Sequence, residues 1–260
     1  MIRRNIAFNL IFSGAGGLLI LFVVLPLVST LLSTTPAAFM NSFGDPEVLK
    51  SIGLTFSAAA IATIIALITG VPLAYLLARR KFRGKRLLEA ILNLPVVIPH
   101  TAAGIALLLV FGRRGLLGQA FSPLGITFTD NLAGIVVAML FVSLPFLVNL
   151  SRESFALVDE EYEKVALIDG ASQWQAFYNV TLPLAWRGVL GGAVMMWARG
   201  ISEFGAVVIL AYHPKITPIL VYERFEGFGL EAAQPVALLL ILVALVVFIT
   251  LRLLLLPERE

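Results

Sequence analysis

The 260-residue sequence contains no cysteine and only two histidines. No disulfide framework and no thiolate metal site can form from it. Charge is scarce as well: 13% of residues are charged, against about 25% in ordinary soluble domains. There is no G-x-x-x-x-G-K-[ST] phosphate loop, and the nearest fragment, Gly84-Lys85-Arg86, lacks the rest of the motif. Any ATP spent on this protein's work would be hydrolysed by another subunit. H-E-x-x-H and G-x-S-x-G are absent too, so an intramembrane hydrolase has no visible chemistry. Few acidic residues interrupt the apolar stretches and no inverted repeat is apparent, which argues against a proton- or sodium-coupled carrier.

Apolar residues are plentiful: 59% of the chain is hydrophobic, more than a soluble fold of this length could bury, so lipid is the expected solvent. Arg3 and Arg4 precede an apolar run too long for a signal peptide, with no A-x-A site after it, which reads as a retained first span. Six stretches are long enough to cross a bilayer: 7–32, 51–78, 87–111, 131–151, 188–211 and 232–256. Helices are expected because a bilayer satisfies no backbone polar group, and Pro72, Pro95, Pro99 and Pro145 are tolerable inside them. With the N-terminus inside, thirteen cations lie inside: Arg3, Arg4, Arg79, Arg80, Lys81, Arg83, Lys85, Arg86, Arg152, Lys164, Arg187, Arg252 and Arg259. Five lie outside: Lys50, Arg113, Arg114, Lys215 and Arg224. The positive-inside rule therefore places both termini in the cytoplasm of a multi-pass cell-membrane protein.

The one long cytoplasmic loop, residues 152–187, is amphipathic. Asp159 can cap a short helix whose first turn holds Glu160 and Glu161, suited to the positive helix end. Tyr162, Val165 and Ala166 fall on one face of it, and Gly170 is suited to stop it. Ser172 and Gln175 have the spacing of a capping box that opens a second short helix. Trp174, Phe177 and Tyr178 share a face there, and Pro183 is expected to break the pattern before the fifth span. The loop could lie on the membrane as an interfacial helix pair. The acidic run DEEYE at 159–163 disfavours an anionic leaflet and fits a protein partner better.

The stretch EKVALIDGASQWQAFYNVTLPLA, residues 163–185, resembles the cytoplasmic loop signature of binding-protein-dependent ABC importer permeases. That pattern runs E-A-A, three residues, Gly, nine residues, Ile-x-Leu-Pro. Gly170 is followed here by nine residues and then Val180-Thr181-Leu182-Pro183. Lys164-Val165-Ala166 occupy the E-A-A places, with Glu163 one residue earlier. The resemblance covers about 47–256, leaving 1–46 as an N-terminal region with the first span and 257–260 as a cytoplasmic tail. Segments 70–118, 141–159 and 198–211 are similar to the sulfate/molybdate branch, with a close match to molybdate or tungstate permeases, and 212–237 resembles archaeal members.

The resemblance implies an all-α type I importer permease with six transmembrane helices and a cytoplasmic coupling-helix loop. It implies a permease homodimer, two ATP-binding subunits, an extracellular oxyanion-binding protein and a lipid bilayer as partners, with no nucleic acid. This chain would bind no cofactor; ATP and magnesium would sit on the partner subunit. The implied cargo is molybdate or tungstate, with sulfate or another anion as the alternative within the superfamily and an ion-coupled carrier outside it. The coupling helix would span 159–169, and ATPase-coupling residues would be Asp159, Glu160, Glu163, Ala166, Asp169, Gly170, Ala171, Trp174, Leu182 and Pro183. Gly170 and Ala171 would let the backbone turn without clash, while Trp174 and Phe177 could clamp the ATPase or fill the loop's own core.

Three span residues complete the candidates: His100, Arg199 and Glu203. Arg199 and Glu203 lie four apart, so they share a helix face, and an unpaired charge at the bilayer centre costs about 2.5–3.5 kcal/mol on insertion scales. The pair could form part of a gate for an oxyanion or brace the bundle. His100 follows Pro99 near mid-span and could sit on the pathway or be hydrogen-bonded structure. The outer cations Arg113, Arg114, Lys215 and Arg224, with His213, could steer an anion or a docking protein, or be ordinary solvated charge.

Overall fold

The computed structural model describes residues 6–255. Arg3, Arg4, Arg259 and the tail 257–260 lie outside the described residues. Apolar length sets the architecture. Helix α1, Ile6–Ser33, is followed by the short α2, Pro36–Gly44, and by α3, Pro46–Arg79. Asp45 caps α3 by accepting from the Glu47 N–H at 2.9 Å, and Pro46 opens it where a missing donor is harmless. Its 34 residues extend about 51 Å, more than the roughly 30 Å of a hydrocarbon core. Three more long helices follow: α7, Leu132–Leu157; α10, Leu182–Ile201; and α13, Leu230–Leu255.

The centre is built from small residues. Ala58, Ala62 and Ala66 recur every fourth position on α3 and are fully buried, as are Ala59 on α3 and Ala138 on α7. A Cβ on Gly192 of α10 would come within 3.1 Å of the Leu147 carbonyl oxygen on α7, so the two backbones meet where only hydrogen fits. Small residues let membrane helices gain van der Waals contact that lipid cannot match. Ile135, Met139, Leu147 and Met196 fill the space between the small residues, and many other large apolar side chains point outward, including nearly all of those described on α1. That helix touches the rest chiefly through Gln234 of α13, whose amide donates to the Thr30 carbonyl and to Thr34 Oγ1.

Two of the six expected spans are broken. The third, 87–111, is two helices, α4 (Lys85–Val97) and α5 (His100–Phe111), bent by 114°. Ile98 is held extended by the proline that follows it, with φ −76° and ψ 148°, and Pro99 then starts the new helix. The fifth, expected over 188–211, begins earlier and ends at Ile201. After a gap at Ser202–Phe204 the chain resumes as α11, Gly205–Leu210. Ser202 Oγ donates to the Arg199 carbonyl at 3.0 Å, a local bond that competes with helix continuation. Among the described residues, five helices are each long and apolar enough to cross a membrane, and the bent pair makes a sixth crossing when taken together.

Short elements complete the chain. The α6 helix, Leu116–Phe121, and α12, Thr217–Phe228, lie in the loops assigned outside. The loop between α7 and α10 holds α8, Glu160–Ile168, and α9, Gln173–Ala176. The α-helical pattern does change just before Pro183, but the chain keeps its direction. A π-helical turn over Phe177–Thr181 joins α9 to α10, so that one helix runs from Gln173 to Ile201. The wider turn, closed by the Leu182 N–H on the Phe177 carbonyl, accommodates the proline that an α-helix would reject.

Candidate functional site

The loop helix α8 is capped at both ends by its own sequence. Asp159 accepts from the Glu161 N–H at 3.0 Å. At the other end the Ala171 N–H donates to the Ala166 carbonyl at 2.9 Å and the Gly170 N–H to the Leu167 carbonyl at 3.1 Å. This is a Schellman closure with Asp169 as the C-cap and Gly170 in the left-handed region at φ +91°. A Cβ on Gly170 would meet nothing within 4 Å, so the requirement is conformational rather than the clash expected from sequence. A Gly170→Ala replacement should cost about 1–2 kcal/mol of local stability, read as faster amide exchange at 166–171. The Ser172–Gln175 capping box is formed reciprocally.

Glu163 ties α8 to the membrane bundle. Its carboxylate accepts from Thr181 Oγ1 at 2.7 Å, Arg79 Nε at 2.8 Å and Tyr75 Oη at 2.9 Å. Burial raises its pKa, but bonds from Thr181, Tyr75 and Arg79 outweigh that and hold the carboxyl below the usual range. A depressed folded pKa gives stability that is present above the unfolded value of about 4.3 and lost as pH falls through the folded value. The loop should stay attached at neutral pH and loosen only below about pH 4, seen as rising amide exchange across α8. Sequence reasoning missed Tyr75, Arg79 and Thr181. The signal was present: Tyr75 and Arg79 are four apart on one face of α3, yet Arg79 reads as a solvated loop cation.

Of the three aromatics expected to share a face, Phe177 separates from Trp174 and Tyr178. Phe177 is only 9% exposed and stacks edge-on against Tyr75 at 4.8 Å. Trp174 is 71% exposed and lies flat against Tyr178 at 5.9 Å. Phe177→Ala should cost about 3–5 kcal/mol, and Trp174→Ala should leave the thermal midpoint unchanged. Glu160 and Lys164 are exposed, Leu182 is half-buried, and Pro183 is exposed at the start of α10.

His100, Arg199 and Glu203 are brought together, away from this loop's residues. Glu203 is 0% exposed, although its position lies in the gap after α10 rather than inside a continuous span. One carboxylate oxygen accepts from Arg199 Nη2 at 2.9 Å and lies 3.1 Å from His100 Nδ1. The other accepts from the Ala206 N–H at 2.9 Å and so caps α11. Arg199 Nη2 is 2.9 Å from both ring nitrogens of His100, which places it over the ring rather than in line with either lone pair. The cluster thus joins the gap between α4 and α5 to the gap between α10 and α11. The short helices meet closely: a Cβ on Gly205 would lie 2.8 Å from the His100 Cβ, and one on Gly104 2.8 Å from the Ile209 Cβ.

Two of the outer cations are paired within the chain. Arg224 pairs with Asp45 at 2.6 Å, fixing α12 to the start of α3, and Lys215 pairs with Glu223 within the same outer segment. Arg224's hydrogen bond holds the Asp45 carboxyl below its usual range.

Residues 70–258 match the sequence profile of the binding-protein-dependent transport system inner membrane component family. The molybdate/tungstate transport system permease protein WtpB of Pyrococcus furiosus is 42% identical over 93% of this chain and 92% of its own length. The Synechocystis sulfate transport system permease protein CysT is 30% identical over 91% of this chain and 85% of its own length. Among solved structures, a bacterial alginate ABC transporter superposes with a TM-score of 0.75 at 15% identity, covering 96% of this chain and 94% of that one. The MetNI methionine ABC transporter gives 0.65 at 15% identity over 80% of this chain and 94% of that one. The helical architecture is therefore the importer permease fold expected above, and the chain belongs to the family of inner-membrane components of binding-protein-dependent transport systems as a multi-pass permease subunit.

Proposed function

We propose that this permease carries molybdate or tungstate inward as one half of a homodimeric pathway. Two separate subunits would bind ATP and magnesium, and an extracellular binding protein would deliver the oxyanion. The observation that carries the cargo assignment is likeness along nearly the whole chain to molybdate/tungstate permeases, 39–42% identical in four relatives. Sulfate is the second reading, supported by relatives at 30–33% identity.

In this reading α8 is the coupling helix. Glu160 and Trp174 are exposed for an ATPase, whereas Glu163 faces the permease and transmits the movement. Asp159, Ala166, Asp169, Gly170 and Ala171 shape the helix and its turn, and Leu182 and Pro183 carry motion into α10. His100, Arg199 and Glu203 form a gate brace rather than a cargo site. The Arg199 charge is already met by Glu203, so it offers a passing anion little.

Reconstitution of the permease with its ATPase and binding protein in liposomes should give molybdate and tungstate uptake that requires ATP. Uptake by the permease alone, driven by an ion gradient, would overturn the importer reading. Orientation has its own test, made clean by the lack of native cysteine. A Phe82→Cys variant should react with an impermeant thiol reagent only from the cytoplasmic side.

A further inference from the structure

A cavity of about 440 Å³ lies beside the coupling loop where α3 ends. Its floor is apolar, formed by Pro72, Leu76 and Phe177. Its rim is charged. Arg79, Arg80, Lys164, Glu160 and Glu163 all line the cavity. Arg79 pairs with Glu163 through its Nε, which leaves two cations against one carboxylate. Neither Arg80 nor Lys164 makes an ion pair among the described residues, where the pairs at this end are Arg79–Glu163, Arg152–Glu89 and Arg152–Glu153. Arg79 is only 8% exposed, and its Nη2 is buried with no hydrogen-bond partner. This buried donor on the cavity wall is an observation independent of the rim charge.

The floor continues into the membrane. Ile64, Ile68, Pro72 and Leu76 repeat every four residues along α3, all exposed. They form one apolar stripe that runs from mid-helix to the cavity mouth. Beyond the rim, Lys81, Arg83 and Arg86 are exposed around an exposed Phe82. An apolar track ending in an unneutralised cationic rim matches an amphiphile with a negative headgroup and extended chains. A soluble anion would use the rim and have no use for the track.

We infer that this cavity binds an anionic membrane lipid, its chains along the Ile64–Leu76 stripe and its headgroup between Arg80 and Lys164. The site rests on the cytoplasmic placement of this end proposed above. A lipid seated there would touch Lys164 of the coupling loop and lie against the Arg79–Glu163 pair. Lipid occupancy would therefore stiffen the attachment through which the ATPase moves the bundle.

The test is lipid retention by the purified permease. Native mass spectrometry would follow exchange from nanodiscs of phosphatidylglycerol and phosphatidylcholine. The wild type should keep phosphatidylglycerol selectively. An Arg80→Gln/Lys164→Gln variant should retain it about thirtyfold less, at about fivefold for each of the two cations that meet the headgroup directly. Arg83→Gln/Arg86→Gln, outside the cavity, should retain it as the wild type does. Equal losses in both variants would overturn the cavity site in favour of diffuse attraction. Displacement by inorganic phosphate alone would overturn the lipid in favour of a soluble anion. Because retention needs neither ATPase nor cargo, it is independent of the transport assignment, and the Phe82→Cys labelling separately checks the orientation.

Discussion

Glu163→Ala should uncouple the transporter. ATP hydrolysis by the assembled complex should continue while uptake falls by about tenfold or more, the scale of a modest coupling free energy. The reason lies in what the carboxylate joins. It holds α3 through Tyr75 and Arg79 and the entry to α10 through Thr181, so one group connects the loop helix to two core helices. Removing it leaves the Arg79 guanidinium, 8% exposed, without a counter-charge. Breaking such a pair costs about 3 kcal/mol or more, a large share of a stability of about 5–15 kcal/mol. A Glu163→Gln variant keeps acceptors for Thr181 and Tyr75 and should recover part of the uptake. Paired measurements of ATPase rate and uptake check this, and a proportional loss of both would show that Glu163 serves assembly rather than transmission.

Glu203→Ala should have the largest effect on folding. Its carboxylate is wholly buried and satisfies Arg199, His100 and the start of α11 together. Truncation leaves a cation and an uncapped helix end in a low-dielectric interior, a cost of about 3–5 kcal/mol. The variant should lose most of its yield in membranes. Glu203→Gln retains an oxygen for the Ala206 N–H and for Arg199, so it should fold with a lowered thermal midpoint. Its transport then separates the two roles: wild-type uptake in the folded Gln variant would make the cluster purely architectural, and a leak of anion without ATP would support the gate.

Much of the loop was legible because its signals are local. Asp159, Gly170 and the Ser172–Gln175 pair act within four residues of themselves, and a sequence carries that information directly. The breaks were not legible, because apolar composition runs through them without change. Pro99 announces a distortion but not a 114° bend. The size of the bend depends on α5 and α11 meeting at Gly104 and Gly205, contacts made across about a hundred residues of chain. The gap at Ser202–Phe204 is similar: Glu203 reads as a helix-face residue until its partners are known. Phe177 and Trp174 were indistinguishable by period alone, since the period itself changes between them and α10.

That change of period sets an angle. An α-helix advances about 100° per residue, and the wide turn at Phe177–Thr181 holds one residue more than a regular turn would. Deleting a single residue there, such as Asn179, should let the helix close regularly and keep that phase, whereas a regular helix that kept every residue would turn everything before it by about 100°. Trp174 and Tyr178 would swing off their outward heading, and Thr181 would lose its line to Glu163. The turn thus works as a setscrew, fixing the rotational phase at which the energy-receiving loop meets the shaft of the fifth span.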